Sequence, residues 1–161
     1  MLPVHIVGHA GCGKTTLIVD LVKALVEKKI RVGTMKHSAH IHELDKRGKD
    51  SFRHRTAGAA PVAMVTELMT ALYLPRDEET TPEKTIETYY SNVDIVLIEG
   101  WISGPYQKIE IWRKSIGPSP LFPSIEKVKA LVSDDFTKES SLPVFPRQQV
   151  DSIVDFLLRL K

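Results

Sequence analysis

Glycine, lysine and threonine residues near the N-terminus have the spacing of a phosphate-binding loop. The stretch "GHAGCGKTT" spans residues 8–16, and Gly8, Gly13, Lys14 and Thr15 match the pattern G-x-x-x-x-G-K-[ST]. Glycines allow the backbone to curl around a phosphate with its N–H groups turned inward. A lysine adds a cation for the β- and γ-phosphates, and a threonine hydroxyl is a ligand for Mg²⁺. We therefore predict a nucleoside triphosphate site here.

The other residues of this loop extend the predicted site. Gly11, Cys12 and Thr16 complete the nucleotide-binding set that begins at Gly8. Cys12 is the only cysteine of the chain, so an intrachain disulfide is excluded. N–H dipoles and the Lys14 ammonium are expected to lower the pKa of its thiol. A redox role for Cys12 therefore stands beside the simpler interpretation that the loop only tolerates a cysteine there.

A carboxylate for the metal is expected at the end of a buried strand. Residues 93–100, "VDIVLIEG", form a continuous apolar run that is typical of a strand buried on both faces. Ligands bind at the carboxyl edge of a parallel sheet, where Glu99 lies, whereas Asp94 is about 16 Å away. Lys14 and Glu99 are thus the predicted catalytic residues, and Thr15 and Glu99 the predicted metal ligands. A helix cap or a lysine pair is the alternative role for Glu99.

Histidines follow the strand pattern at residues 31–37, which ends at the same edge. His37, His40 and His42 are possible metal ligands, but no second ligand group has matching spacing. A loop that contacts phosphate or a second ligand is the favoured interpretation, and solvent-facing histidines are the alternative.

A third acidic candidate follows the apolar run at residues 128–132. Asp134 could accept hydrogen bonds from guanine N1–H and the exocyclic amine, which would select guanine over adenine. The usual Asn/Thr-Lys-x-Asp guanine signature is absent from the sequence. A turn or cap role for Asp134 is an equal alternative.

The elements that must position these residues alternate between strand and helix patterns. This order predicts one domain, residues 1–161, with a three-layer α/β/α P-loop fold and a mainly parallel sheet. Strand patterns occupy 2–7, 31–37, 93–100, 128–132 and 108–112, the last alternating like a half-exposed strand. Helical patterns occupy 14–29, 45–60 with Asp45 as N-cap, 82 to about 90 with Thr81 as N-cap, and 147–161. Residues 61–74 predict an added antiparallel hairpin.

Composition narrows the class of protein further. The formal net charge of +2 does not indicate a nucleic-acid partner, and no apolar run is long enough to span a membrane. The N-terminus lacks the charged region of a secretory signal, so a reduced cytoplasmic location is expected. Charge is uneven locally, because residues 28–55 hold nine lysines and arginines against three acids. This excess is either a solvated face or a surface for an anionic ligand.

Three stretches together resemble a known family. They are "GHAGCGKTTL", "GTMKHSAHIHELDKRGKDSFRHRTAGA" and "DIVLIEG". The middle one, with K-H-x-x-H followed by D-K-x-G-K-D-S and A-G-A, is far more specific than a phosphate loop. The chain is similar to the molybdopterin-guanine dinucleotide biosynthesis adaptor family, MobB, over residues 1 to about 113. The remaining tail matches only in outline.

The resemblance implies a P-loop GTP-binding protein that forms a homodimer and has weak Mg²⁺-dependent GTPase activity. Family members assist a nucleotidyltransferase, MobA, that joins GMP to the phosphorylated pterin of the molybdenum cofactor. Carried over, residues 8–16 bind phosphate and Glu99 takes the acidic Walker-B-like place. The family's loop and helix, a second-ligand or switch segment, correspond to Lys36, His37, His40, Asp45, Lys49, Asp50, Ser51 and Arg53.

Two features of the sequence predict slow turnover at most. Gln107 is displaced from any motif that positions an attacking water, and no arginine finger is assigned, although Arg53 and Arg55 are candidates. A finger can contribute about 10³-fold or more to hydrolysis.

Two other functions stay open at this point. One is an ATP-dependent kinase or ligase that acts on a small anionic substrate. The other is a GTP-dependent metal-insertion protein, with His37, His40 and His42 as the metal carriers. Strands at 61–74 and 108–112 exceed a minimal sheet, and we expect them to pair across a two-fold axis in a homodimer. A local hairpin at the edge of the sheet is the alternative.

Overall fold

A computed structural model describes residues 1–38, 40–77, 81–117, 119–135 and 140–160. The chain divides into two compact units, which are described separately. The first comprises Met1–Ser38 and Tyr90–Lys161, and the second comprises Ala39–Tyr89. The single-domain assignment from the sequence stays a prediction.

The first unit holds a six-stranded sheet in which every neighbouring pair of strands is parallel. Its strands are β1 (Leu2–Val7), β2 (Val32–Lys36), β5 (Ile95–Glu99), β6 (Gln107–Ile111), β7 (Val128–Val132) and β8 (Val144–Phe145), in the spatial order β2-β5-β1-β6-β7-β8. Its helices are α1 (Lys14–Glu27) and α4 (Val150–Arg159). The mainly parallel α/β fold predicted from the sequence is confirmed, and the carboxyl ends of all six strands lie at one edge.

The core of the first unit forms where α1 and α4 pack against one face of this sheet. Leu17, Leu21 and Leu25 recur at helical spacing along α1 and are fully buried. They belong to one apolar cluster with alternate residues of β1, among them Val4 and Ile6. Strand β1 has β5 on one side and β6 on the other, so the segment that leads into the phosphate loop is held by hydrogen bonds along both edges.

Strand β6 corrects the expectation of a half-exposed strand at 108–112. Lys108 and Glu110 are both buried, at 3% and 0% exposure. The Lys108 ammonium donates to the carbonyl of Gly104 at 2.8 Å, and the Glu110 carboxylate accepts the N–H groups of Leu121 and Phe122. Burial lowers the pKa of Lys108 and raises the pKa of Glu110. The alternation in the sequence therefore reflects two buried faces, one of which is polar.

Because β6 pairs with β1 and β7 along its two edges, it offers no edge to a second copy of the chain. The part of the dimer expectation that relied on 108–112 is therefore wrong. The homodimer itself stays a prediction.

The second unit contains the hairpin and two helices. Strands β3 (Val62–Val65) and β4 (Thr70–Tyr73) are antiparallel and form a two-stranded sheet of their own, which confirms the hairpin. Helices α2 (Asp50–Thr56) and α3 (Pro82–Tyr89) flank it in sequence. The Thr81 hydroxyl accepts the N–H of Lys84 at 3.2 Å, so the predicted N-cap of α3 is confirmed.

Helix α2 is much shorter than the helical pattern at 45–60, and Asp45 is not its N-cap. The cap position is Lys49, in an extended conformation. Gly48 adopts φ +80°, a left-handed conformation that interrupts any helix begun at residue 45. Asp45 instead accepts hydrogen bonds from the Lys46 N–H at 2.7 Å and the Ser51 hydroxyl at 3.1 Å.

Within the described residues, no helix has the length and apolar character needed to cross a membrane.

Candidate functional site

The predicted phosphate loop, residues 8–16, connects β1 to α1 in the strand–loop–helix order that the sequence indicated. Gly8 and Gly13 have φ values of +141° and +99°, which residues with side chains rarely adopt. A Cβ atom at Gly8 would also collide with the carbonyl oxygen of Ile111 in the neighbouring strand. Gly13 is the N-cap of α1, whose first turn presents free N–H groups and the positive end of its dipole. This arrangement suits an anion.

The Lys14 side chain lies across the loop. Its ammonium donates to the carbonyl oxygens of Gly8 at 2.9 Å and His9 at 2.8 Å. The cation is thereby held over the loop's own backbone. Gly11 and Thr16 are exposed in the same loop.

The Cys12 side chain points away from this surface and into the apolar core, where it is fully buried. Burial raises the pKa of the thiol, although the nearby cations Lys14 and Arg113 act in the opposite direction. The expectation of a lowered pKa is therefore wrong, because desolvation outweighs the charges. Only the backbone of Cys12 is available to a ligand at the surface of the loop.

Threonine 15 and Glu99 meet as the strand-edge argument predicted. The Thr15 hydroxyl lies 3.0 and 2.9 Å from the two carboxylate oxygens of Glu99. The Lys36 ammonium lies 3.3 Å from the same carboxylate, which is 15% exposed. Parallel pairing places Glu99 opposite Ile6 in β1 and Lys36 in β2, so sheet register brings the three groups together. A hydroxyl and a carboxylate are the hard oxygen donors that Mg²⁺ prefers.

The acidic residue directly before β5 has a different role. Asp94 accepts three hydrogen bonds from Arg31, from its backbone N–H and from two guanidinium nitrogens. These bonds hold the pKa of Asp94 well below its usual range. Asp94 is therefore an ion-pair residue at the opposite edge of the sheet from Glu99.

An aromatic pair lies just beyond the ends of β2 and β5, where the His37 N–H donates to the Glu99 carbonyl at 3.1 Å. The His37 ring stacks on Trp101 with ring centres 5.3 Å apart. Trp101 has φ +60°, which is uncommon for a residue with a side chain, and follows Gly100 at φ +81°. A Cβ at Gly100 would lie 3.2 Å from the His37 carbonyl, so glycine permits this close approach of β2 and β5 chain ends. His37 is thus placed beside the predicted metal ligand.

Asp134 lies at the carboxyl end of β7 as predicted, but one of its oxygens is already used. Oδ1 accepts the backbone N–H of Arg147 at 2.7 Å, and the guanidinium of Arg147 binds Asp20 of α1 at 2.6 Å. This contact supports the turn role that the sequence left open. A guanine contact by Asp134 stays a prediction.

Arg113 is a site residue that the sequence reasoning missed. A Cβ atom built at Gly13 would lie 3.3 Å from Nη2 of Arg113 and 3.6 Å from its Cζ. The guanidinium therefore lies against the phosphate loop at the start of α1. Arg113 follows β6 by two residues, and recognising β6 as a buried parallel strand would have placed it at the site's edge.

Two residues of the family's loop and helix, Asp45 and Ser51, belong to a polar cluster in the second unit. Glu43, Asp45, Ser51, Arg55 and Tyr73 make up what we call the Arg55 cluster. The Arg55 guanidinium pairs with Glu43 and lies 4.0 Å from Asp45, and its Cζ is 5.6 Å from the centre of the Tyr73 ring. A backbone N–H from Asp45 lowers the pKa of Glu43. Burial, with the Asp45 charge, raises the pKa of Tyr73.

The remaining candidates in this unit are exposed. They are His40, Lys49, Asp50 and Arg53. The rings of His40 and His42 are 6.2 Å apart and perpendicular. In the part of the chain that the structure describes, no three histidine, cysteine or acidic side chains are grouped to hold a metal ion.

Comparisons with known proteins agree with these motifs. A family model described as MobB, molybdopterin guanine dinucleotide synthesis protein B, matches residues 3–134. The molybdopterin-guanine dinucleotide biosynthesis adapter protein of Haemophilus influenzae is 30% identical over 153 residues, which cover 94% of this chain and 85% of that protein. The protein of the same description from Escherichia coli K12 is 30% identical over 156 residues, covering 92% and 87%.

Solved structures show the same fold. The crystal structure of a molybdopterin-guanine biosynthesis protein B covers 99% of this chain and 100% of its own, with a TM-score of 0.78 and 25% identity. The crystal structure of Bacillus subtilis MobB covers 98% and 96%, with a TM-score of 0.77 and 28% identity.

Proposed function

The chain belongs to the family of molybdopterin guanine dinucleotide synthesis protein B, and from this premise we propose that it is a GTP-binding adapter in the biosynthesis of that dinucleotide. The observation that carries the proposal is the contact of Thr15 with Glu99 beside the phosphate loop. It joins a phosphate cradle to a carboxylate from another strand, which is the minimum that a metal–nucleotide site needs.

Different residues of the site would bind the phosphates, the metal ion and the pterin. The N–H groups of residues 13–16 and the ammonium of Lys14 bind phosphate oxygens. Thr15 and Glu99 would hold Mg²⁺, which neutralises phosphate charge when bound. Lys36 lies beside Glu99 and adds positive charge at the same edge. A groove of about 500 Å³ leads from this site between α1 and β2 and contains a second lysine, Lys23. We assign it to the phosphorylated pterin.

Binding rather than fast catalysis is the proposed task. Gln107 begins β6 and pairs with Val4, so it is level with Leu97 and lies before the strand ends that form the site; we propose that it does not position an attacking water. Arg55 is held by Glu43 and Asp45 within its own cluster. We therefore propose slow Mg²⁺-dependent hydrolysis at most, in a cytoplasmic homodimer that works with a MobA-like nucleotidyltransferase.

Nucleotide titration tests the central proposal. We expect calorimetry to show tighter binding of GTP than of ATP when Mg²⁺ is present. Glu99→Gln should weaken GTP binding about tenfold, because a charge-assisted interaction contributes about 1.5–3 kcal/mol and part of it survives in the amide. Asp94→Asn is the matched control, since it makes the same change at the other end of β5, and it should leave affinity within twofold of the parent protein.

Tighter binding of ATP would overturn the adapter proposal in favour of a kinase or ligase. Equal losses of GTP affinity in Glu99→Gln and Asp94→Asn would show that Glu99 stabilises the strand and does not contribute to ligand binding. The adapter role itself requires a second measurement. Adding the protein to a purified MobA-like enzyme should raise guanylylation of the pterin, and the Lys14→Ala variant should abolish that increase.

A further inference from the structure

Arg113 contributes a cation to the phosphate loop from outside the sequence motif. Its Nη2 is placed 3.3 Å from the position of a Cβ at Gly13, the residue from which α1 begins. The side chain is exposed. Among the described residues, no carboxylate lies within ion-pair distance of its guanidinium. The charge is therefore available to a ligand of the loop.

The backbone around Arg113 is fixed by several hydrogen bonds. The N–H of Trp112 donates to Val132 in β7 at 3.0 Å, and the N–H of Lys114 donates to the Asp135 carboxylate at 2.9 Å. The Arg113 carbonyl accepts the N–H of Gly117 at 3.1 Å, which closes a turn. An arginine whose backbone is held in this way loses less backbone entropy on binding than one on a mobile loop.

Gly13 allows both the entry of the chain into α1 and the close approach of the Arg113 guanidinium. Its φ of +99° lets the chain enter α1, and the lack of a side chain leaves the space into which the Arg113 guanidinium fits. Lys14 follows directly and covers the loop from the carbonyls of Gly8 and His9. Two cations, one from the start of α1 and one from the segment that follows β6, thus lie at the same loop.

We propose that Arg113 is a phosphate-binding residue, supplied in cis, which contacts the polyphosphate held by residues 8–16. This inference rests on the proposed nucleotide site. A guanidinium suits the task because it stays charged at all relevant pH values and can donate two parallel hydrogen bonds to phosphate.

The test compares substitutions at two adjacent residues. Arg113→Ala should weaken binding of GTP and of inorganic triphosphate by about tenfold to a hundredfold, the range expected for a lost charge-assisted contact. Arg113→Lys should recover part of the loss, because the charge returns without the paired donors. Lys114→Ala is the matched control, since only the backbone N–H of Lys114 is used. It should bind both probes like the parent protein.

The two probes separate this inference from the proposed function. Equal affinity of Arg113→Ala and the parent protein for inorganic triphosphate would overturn the role of Arg113, whatever the base preference. Conversely, a loss for triphosphate together with no preference for GTP would support Arg113 while contradicting the GTP proposal. A thermal unfolding midpoint for Arg113→Ala equal to that of Lys114→Ala assigns the loss to the contact and not to misfolding. If the thermal unfolding midpoint of Arg113→Ala falls, binding of inorganic triphosphate is compared between the folded Arg113→Lys variant and the parent protein. Equal affinities of these two proteins would overturn the proposal.

Discussion

The phosphate loop and the Arg55 cluster are both polar sites, but they are held in place by different means. The loop lies between a buried strand and a helix, and Glu99 reaches it through the pairing of β1, β2 and β5. The Arg55 cluster is bound by side chains, with one short helix and a hairpin for support. In the first case backbone register sets the geometry. In the second it depends on each polar partner in turn.

This difference implies different responses to substitution. A register-based site fails when the backbone cannot take its path, and the loss is large. A side-chain cluster fails in smaller steps, as individual hydrogen bonds are removed.

The largest effect is expected from adding one methyl group to the phosphate loop. Gly8→Ala should lower the free energy of unfolding by about 3 kcal/mol, since backbone strain adds to a collision with Ile111. Gly48→Ala makes the same change at φ +80° beside the Arg55 cluster, where a Cβ meets no atom within 4 Å. It should cost about 1 kcal/mol. Urea unfolding measures both free energies of unfolding. Equal losses in the two variants would contradict the proposed difference between the two regions.

A smaller loss should follow from removing a charge within the Arg55 cluster. Asp45→Asn keeps a hydrogen-bond acceptor for Ser51 but leaves the Arg55 guanidinium with less negative charge around it. We expect the free energy of unfolding to fall by about 1–2 kcal/mol. The exposed Asp50→Asn control should cost about 0.5 kcal/mol, through the helix dipole alone. A cost for Asp45→Asn no greater than for the control would show that the cluster does not depend on this carboxylate.

The smallest effect concerns pH and the exposed pair at the far end of β5. The Arg31 guanidinium lowers the pKa of Asp94 in the folded chain, so the pair stabilises the fold at pH values above the ordinary carboxyl pKa. That stability is lost as pH falls from about 5 toward the lowered pKa. Urea midpoints between pH 7 and pH 2.5 should therefore decline less for Asp94→Asn than for the parent protein. Equal declines of the urea midpoint in the two proteins would show that solvent screening removes the stabilising effect of this exposed ion pair.

The same contrast explains how much the sequence could predict. Glu99 was placed correctly because strands buried on both faces are visible as apolar runs, and parallel strands share one carboxyl edge. The hairpin and the Thr81 cap were also visible, since turns and caps are local signals. Strand β8 was not predicted, because two residues carry no periodicity.

The errors occurred where polar residues are buried. Lys108 and Glu110 suggested a solvated face, and this concealed the burial of β6 and the position of the adjacent Arg113. Asp45 has the residue type of an N-cap, but its partners are a neighbouring backbone N–H and a serine further along the chain. Burial of Cys12 outweighed the cations beside it. Each outcome depends on packing between distant segments, which sequence patterns do not contain.

The position of β1 at the centre of the sheet has a consequence for how the protein is made. Its residue Val4 pairs with Leu97 and with Gln107, so β1 leaves the ribosome well before either of its neighbouring strands has been synthesised. Contacts this distant in sequence slow folding, because a long loop must close first. The second unit is complete by residue 89 and has nearby partners of its own. We therefore expect the hairpin to form while the nascent chain still lacks the proposed nucleotide site, which arises only when residues 95–111 join β1.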